Sequence, residues 1–352
     1  MKYSFQRMTL AMVCLAVIAT LLSCASPAAT QSILTIKTQT ETESASVLQT
    51  HHLIASTSAP AEGLTQSMTV ELQKKINELS NGTMALDIYP NDTLGTLNDN
   101  RWSFTNGSVD IRIGVSSLDS AAVAVWLPTL CGSTPDDIEA SMAAGGKLRQ
   151  IFDEEAAEDG IVILGYYPVN YRVLSSSTPV RSVSDMKTLK MRTVSTGSET
   201  LYWGHFCQSA EAIKLKDFNL ALQQGIVNAE ENTLPLFTDV GLEKHQKYIA
   251  ETHHKVYIEL VTISSQTFSS LSEGERSVLQ RSVENLQNIW PSINTSYLNK
   301  CREELEGQGV SWTNFPESEQ ESMRQETAPL LRETLSNSLG SDIVNRVISV
   351  MQ

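Results

Sequence analysis

Residues 64–90 read Leu-Thr-Gln-Ser-Met-Thr-Val-Glu-Leu-Gln-Lys-Lys-Ile-Asn-Glu-Leu-Ser-Asn-Gly-Thr-Met-Ala-Leu-Asp-Ile-Tyr-Pro. Leu64, Met68, Leu72, Ile76 and Leu79 recur at helical spacing, which predicts a helix over 61–79. Asn81-Gly82 then turns the chain, and 84–89 alternates apolar and polar residues as a half-buried strand does, until Pro90 ends it. Working outward, 47–54 reads as a strand ahead of the helix. Behind it, Leu94-Gly95 leads into a helix near 97–104, and a turn at Asn106-Gly107 leads into a strand through Gly114. A helical stretch over 136–157 and a strand over 161–166 follow. Strands alternating with helices in this order predict an α/β fold with a mainly parallel sheet flanked by helices.

The beginning of the chain belongs to export rather than to the fold. Lys2 and Arg7 precede an apolar run over 10–22, and Leu21-Leu22-Ser23-Cys24 follows, which reads as a signal peptide (1–23) ending in a lipobox-like site. Cleavage there would leave Cys24 to carry lipid; ordinary cleavage near Ala25 or Ala29 is the alternative. Residues 24–46, rich in Ser, Thr, Ala and Gln without apolar periodicity, read as a flexible tether.

Loss of Lys2 and Arg7 with the signal takes the formal charge from −14 to −16. So acidic a surface repels phosphate backbones, and the scattered Lys and Arg form no basic stripe, so nucleic acid is excluded as a partner. With 41% hydrophobic and 19% charged residues, the body is ordinary globular protein long enough for two domains or lobes. Beyond Cys14 and Cys24, the widely spaced Cys131, Cys207 and Cys301 read as single buried thiols.

An enzyme is not indicated. The chain has no GxSxG elbow, no phosphate-cradling GxxxxGK, no HExxH and no dinucleotide fingerprint. His51-His52 and His253-His254 are adjacent pairs, which on a strand point to opposite faces and cannot chelate a metal together. No cofactor is called for.

A second long helix is legible after Ser272, a good N-cap with Glu275 three residues on. Leu279, Val283, Leu286 and Trp290 make its apolar stripe, and Pro291 should kink it before a second piece running through Leu305. Residues 316–351 look helical.

Several stretches together resemble the solute receptors of TRAP transporters, the extracytoplasmic binding proteins of secondary uptake systems for organic acids. They are Glu78-Leu-Ser-Asn-Gly-Thr through Tyr89-Pro90, Leu94-Gly95, Asn106-Gly-Ser-Val-Asp110, Lys190-Met-Arg192, and Leu220-Ala-Leu-Gln-Gln-Gly-Ile-Val-Asn-Ala-Glu-Glu-Asn-Thr-Leu-Pro-Leu236. The resemblance extends from about 47 to about 315. It implies a two-lobe periplasmic-binding-protein fold, each lobe a mainly parallel sheet flanked by helices, with the long kinked helix spanning the hinge. Lobe I is expected over 47–169 plus 257–291, and lobe II over 170–256 plus 292–352, with the last helices packed outside the lobes.

The resemblance also implies the site. Arg192 matches the arginine that clamps the ligand carboxylate, Arg172 an auxiliary arginine, and Asn232 an amide that orients a ligand oxygen. Arginine suits the task because its planar fork donates two parallel hydrogen bonds to one carboxylate and stays protonated. Ser195 occupies a position that often carries a polar contact, and Leu215 one that often carries a wall. Val194 and Ala229 depart from the proline and glycine usual in the family. Trp126, Tyr166, Tyr167, Tyr171, Tyr202 and Trp203 lie near segments expected to line the cleft; most such rings are core or rim, with Tyr171 and Trp126 the candidates for contact.

A receptor of this kind would sit in the periplasm, lipid-anchored to a bacterial membrane. It would close on a small-molecule ligand and pass it to TRAP membrane permease subunits; some relatives also work with a helical-repeat lipoprotein. Aromatics facing the cleft would favour a hydrophobic ligand instead of a carboxylate. A surface interaction lipoprotein that kept the fold and lost its ligand is the other class.

Overall fold

The computed structural model describes residues 50–95, 103–104, 107–195 and 197–352. The signal segment, Cys24, the tether and most of the helix expected near 97–104 lie outside the described residues. Eleven strands form two sheets among the described residues. In chain order they are β1 (His51–Ser56), β2 (Met84–Tyr89), β3 (Ile111–Gly114), β4 (Ile161–Tyr171), β5 (Val173–Ser176), β6 (Lys190–Thr193), β7 (Ser209–Ala212), β8 (Ala229–Asn232), β9 (Tyr248–Ala250), β10 (Val256–Ser264) and β11 (Ser311–Thr313). The first sheet runs β2-β1-β3-β10-β4 and the second β11-β9-β5-β8-β6-β7.

The strand-helix-strand unit forms as its sequence dictates. The helix Leu64–Leu79 buries Leu64, Met68, Leu72 and Ile76. Asn81 and Gly82 both take positive φ, 51° and 79°, and deliver the chain into β2 parallel to β1. Both sheets are mainly parallel, as expected, and each carries one reversed strand. β1 is parallel to β2 and β3, whereas β10 runs antiparallel to β3 and β4. In the second sheet β5 is antiparallel to β8 and β9, and the remaining pairs are parallel. The reversed strand of each sheet is the one the chain enters on crossing: β4 of the first leads through Arg172 into the reversed β5 of the second, and β9 of the second leads through 251–255 back into the reversed β10. Such strands continue straight across and skip the helical crossover that makes neighbours parallel. The two crossings are clasped where the Arg172 backbone N–H donates to the Lys255 carbonyl at 2.8 Å.

The helix Glu273–Gly307 is a third connection. Its capping box is present: the Ser272 N–H donates to Glu275 Oε2 at 2.8 Å, and the Glu275 N–H to Ser272 Oγ at 3.3 Å. Leu279, Val283, Leu286 and Trp290 pack with Leu53, Leu86 and Ile113 over the first sheet, whereas Leu305 joins Val173, Phe237 and Ile249 beneath the second. The helix continues through Pro291, whose missing N–H leaves the Gln287 carbonyl without its usual partner and favours bending there.

Two expectations change. The stretch 136–157 is two helices, Pro135–Met142 and Lys147–Glu158, because Gly145 takes φ +80° and a Cβ at Gly146 would strike the Ser141 carbonyl. The helices Glu317–Leu339 and Ser341–Ser349 do not sit outside the body. Met323, Leu331, Leu335, Val344, Val347 and Ile348 join the largest apolar cluster with Trp126, Leu127, Tyr202 and Trp203. At about 1.5–3 kcal/mol for each large side chain removed from water, that burial holds the last helices firmly. Cys131, Cys207 and Cys301 are free thiols.

Candidate ligand-binding site

A cleft of about 620 Å³ gathers residues from both sheets. Thr57, Thr65, Val115, Tyr257 and Glu259 line it from the elements of the first sheet, and Arg192, Val194, Ser195, Leu215 and Asn232 from those of the second. At one point the walls touch: a side chain at Gly63, ahead of the Leu64–Leu79 helix, would run into the Asp239 carboxylate.

Arg192 lies on β6 with 2% exposure and lines this cleft. Its Nε donates to the Ile213 carbonyl at 2.8 Å, its Nη1 to Glu230 Oε2 at 3.2 Å, and its guanidinium covers the Phe218 ring at 5.1 Å. These contacts fix the plane of the guanidinium. Nη2 has no acceptor among the described residues. Arg172 is held differently: Nε and Nη2 both donate to the Glu231 carboxylate, and Nη2 also reaches the Glu231 carbonyl at 3.0 Å. A bidentate, fully buried pair of this kind is spent on structure.

Asn232 ends β8. Its Oδ1 accepts from the Thr233 N–H at 2.9 Å. A backbone N–H can only donate, so the oxygen must face it, and the amide orientation follows. Nδ2 is buried with no acceptor within hydrogen-bond distance, although it lies near enough to Glu230 to favour that carboxylate's ionised form slightly. A buried polar group without a partner costs about 1–3 kcal/mol unless something else supplies one.

Three buried acids that no sequence motif singles out pair with the cations of the cleft. Burial pushes Glu230 up to about 7, because Arg192 and Arg172 offset desolvation only in part, and its Oε1 has no partner. Burial also opposes ionisation of Glu231, yet Arg172, Lys255 and His254 together hold its carboxyl well below the usual carboxylate range. His254 Nε2 lies 3.2 Å from Glu231 Oε2. Glu199 pairs with Lys255 and accepts from the backbone N–H groups of Val194 and Ser195 at 3.0 and 2.9 Å, shaping the loop after β6. Lys255 in turn sits 4.8 Å over the Trp126 ring.

Of the residues singled out in the sequence, Arg192, Arg172, Asn232, Ser195, Leu215 and Trp126 all line the one cleft. Tyr171 does not. It stacks on His253 at 4.2 Å and lines a separate cavity of about 1140 Å³ beside the helix Glu317–Leu339. Tyr166, Tyr167, Tyr202 and Trp203 are core.

Glu259, on β10, is pushed up to about 7 by burial against the hydrogen bonds from Thr65 and Tyr257. A carboxyl that prefers its proton more in the folded chain than in the unfolded one stabilises the fold at low pH, and that contribution is lost as pH rises through about 7. Glu259→Gln should therefore flatten the fall in stability between pH 5 and pH 8 by on the order of 3 kcal/mol. Thermal unfolding of both proteins across that range checks this; parallel curves would contradict it.

Comparison with known proteins agrees with this architecture. The family profile described as "Bacterial extracellular solute-binding protein, family 7" matches residues 55–337. A solute-binding protein of Roseobacter denitrificans is 25% identical over 247 residues, covering 69% of this chain and 75% of that protein. The sialic acid-binding periplasmic protein SiaP of Vibrio cholerae is 24% identical over 293 residues, covering 79% of this chain and 86% of that protein. Among solved structures, a TRAP periplasmic solute-binding protein of Roseobacter denitrificans with bound β-D-glucuronate superposes with a TM-score of 0.75 at 16% identity, over 86% of this chain and 99% of that one. The chain belongs to family 7 of the bacterial extracellular solute-binding proteins, the DctP family of TRAP receptors.

Proposed function

We propose that this protein captures a small organic acid in the cleft between its two sheets and delivers it to a TRAP-type membrane permease. The observation that carries the reading is Arg192: a buried guanidinium, fixed by Ile213 and Phe218, that keeps a terminal nitrogen without a protein acceptor and shares the cleft with the unpartnered amide of Asn232. Charged hydrogen bonds from a pre-set fork to a carboxylate oxygen are the strongest contacts such a cleft can offer. Arg172 acts mainly by holding Glu231 and the junction of the crossings, and contributes its Nη1 as a secondary contact. Ser195 and Leu215 flank the clamp, and Val115, Val125 and Leu236 give the cleft an apolar wall for the carbon face of the acid. Sialic acid and glucuronate, named for the relatives above, are carboxylates of a suitable size class.

Capture works by closure. Only a closed arrangement brings Thr65, Tyr257 and Glu259 to the same ligand as Arg192 and Asn232, so ligand binding favours it. The role is that of a binder, with the permease doing the transport. Export and attachment through Cys24 would hold it in the periplasm, anchored to a membrane, where two or more acyl chains give a stable anchor.

The test is mass spectrometry of small molecules released on denaturing the purified protein, followed by calorimetric titration with the acid found. One carboxylate per chain is expected. A fatty or uncharged apolar molecule would replace this reading with that of a receptor for hydrophobic ligands.

A further inference from the structure

The charges that line the cleft do not balance. Its cations are Arg172, Arg192 and Lys255, and its acids are Glu62, Glu199, Asp239 and Glu259. Each cation already has a protein carboxylate: Arg172 pairs with Glu231, Arg192 with Glu230, Lys255 with Glu199. An incoming acid would therefore add negative charge to a cleft whose positive charge is already matched.

Glu259 is where the surplus is most exposed energetically. It stands on β10 with 2% exposure. Thr65 Oγ1 donates to its Oε1 at 2.6 Å, and the Tyr257 hydroxyl to the same oxygen at 3.3 Å. Oε2 is buried and has no hydrogen-bond partner, and Glu259 forms no ion pair among the described residues. Burial without a cation is also what drives its affinity for a proton upward. A buried, half-satisfied carboxylate facing a ligand cavity, on the opposite wall from the clamp arginine, is a costly arrangement for the empty protein. A ligand that brings its own positive charge removes the cost.

We propose that Glu259 is the subsite for a cationic group, and that the ligand is a zwitterion whose carboxylate meets Arg192 while its ammonium-type nitrogen meets Glu259. This rests on the receptor reading above and narrows its substrate class. A neutral hydroxyl could donate to Oε2, but it would leave both the Glu259 charge and the charge of the incoming carboxylate uncompensated. A nitrogen cation satisfies the hydrogen bond and neutralises Glu259, and the zwitterion as a whole adds no net charge to the cleft.

Calorimetry on the exported chain with matched probes tests this: ω-amino acids of four to six carbons and cyclic amino acids, each beside the hydroxy acid of the same skeleton, together with D-glucuronate. The amino member of the best-bound pair should bind at least tenfold tighter than its hydroxy counterpart. Glu259→Gln, nearly isosteric, should abolish that preference, and Glu259→Asp should keep part of it. Hydroxy acids or glucuronate binding as tightly as the zwitterions, or a preference that survives in Glu259→Gln, would overturn the proposal. Arg192→Ala separates the two levels of the argument. An acid that needs Arg192 but shows no preference for a cation rejects the zwitterion alone, whereas an acid indifferent to Arg192 rejects the receptor reading beneath it.

Discussion

Arg192→Ala should weaken binding of the natural acid by about 2 kcal/mol or more, roughly 30-fold, while the protein stays folded. The first half follows from geometry. The guanidinium is positioned before ligand arrives, so its removal deletes charged hydrogen bonds that no neighbour can replace; Lys255 is committed to Glu199 and the Trp126 face, and Arg172 to Glu231. The second half follows from Glu230. That carboxyl already sits near 7, so on losing its cation it can take up a proton instead of remaining a buried charge. Arg192→Lys should recover only part of the affinity, since an ammonium cannot offer the planar fork. Calorimetric titration of the three proteins reads the effect directly, and unchanged affinity in folded Arg192→Ala would reject the clamp.

Arg172→Met should act on stability instead, lowering it by roughly 3–5 kcal/mol. Glu231 differs from its neighbour Glu230 in being held strongly ionised against its burial, and Arg172 is the largest cause of that. Without Arg172 it is left either as a buried charge, with His254 at 3.2 Å and Lys255 acting from further away, or as a carboxyl driven by burial to take up a proton, and both cost stability. The pair also joins elements on both sides of the crossing, because Glu231 lies on β8 and Arg172 between β4 and β5. Removing both charges, as in Arg172→Met with Glu231→Leu, should restore much of the loss, since an apolar pair of similar volume packs without a desolvation cost. Chemical denaturation of the single and double variants measures this. A single variant as stable as the parent would mean that the pair contributes nothing beyond its shape.

The contrast between these two arginines marks how far the sequence could be read. The helix Leu64–Leu79, β2 and the capping box at Ser272 were legible because each follows from local chemistry: apolar spacing, an Asn-Gly turn, a Ser with Glu three residues on. The one reversed strand in each sheet, β10 and β5, was not legible. It depends on which strands continue from one sheet into the other, and no local signal says that the chain between Tyr171 and Val173 changes sheets within one residue. The arginines and Asn232 were found through family resemblance, but their carboxylate partners were not. In Ala229-Glu-Glu-Asn232 a period-two reading would place one glutamate outward, whereas all four residues are buried, since the strand lies inside a six-stranded sheet covered on both faces. Glu259 did leave a trace. It is the one charged residue within the otherwise apolar and hydroxyl-bearing run Val256–Ser264, and an acid inside a central strand is a sign of function. Tyr171 is the opposite case: it lies near segments expected to line the cleft, but side chains alternate along a strand, and its ring faces His253 instead.

The most direct test is a crystal structure of the protein with the acid it retains from the cell. The account predicts one ligand in the cleft, with a carboxylate oxygen within hydrogen-bond distance of the Arg192 guanidinium and the Asn232 amide close by. A ligand seated in the separate cavity beside the helix Glu317–Leu339, or in the cleft with its carboxylate turned away from Arg192, would contradict it.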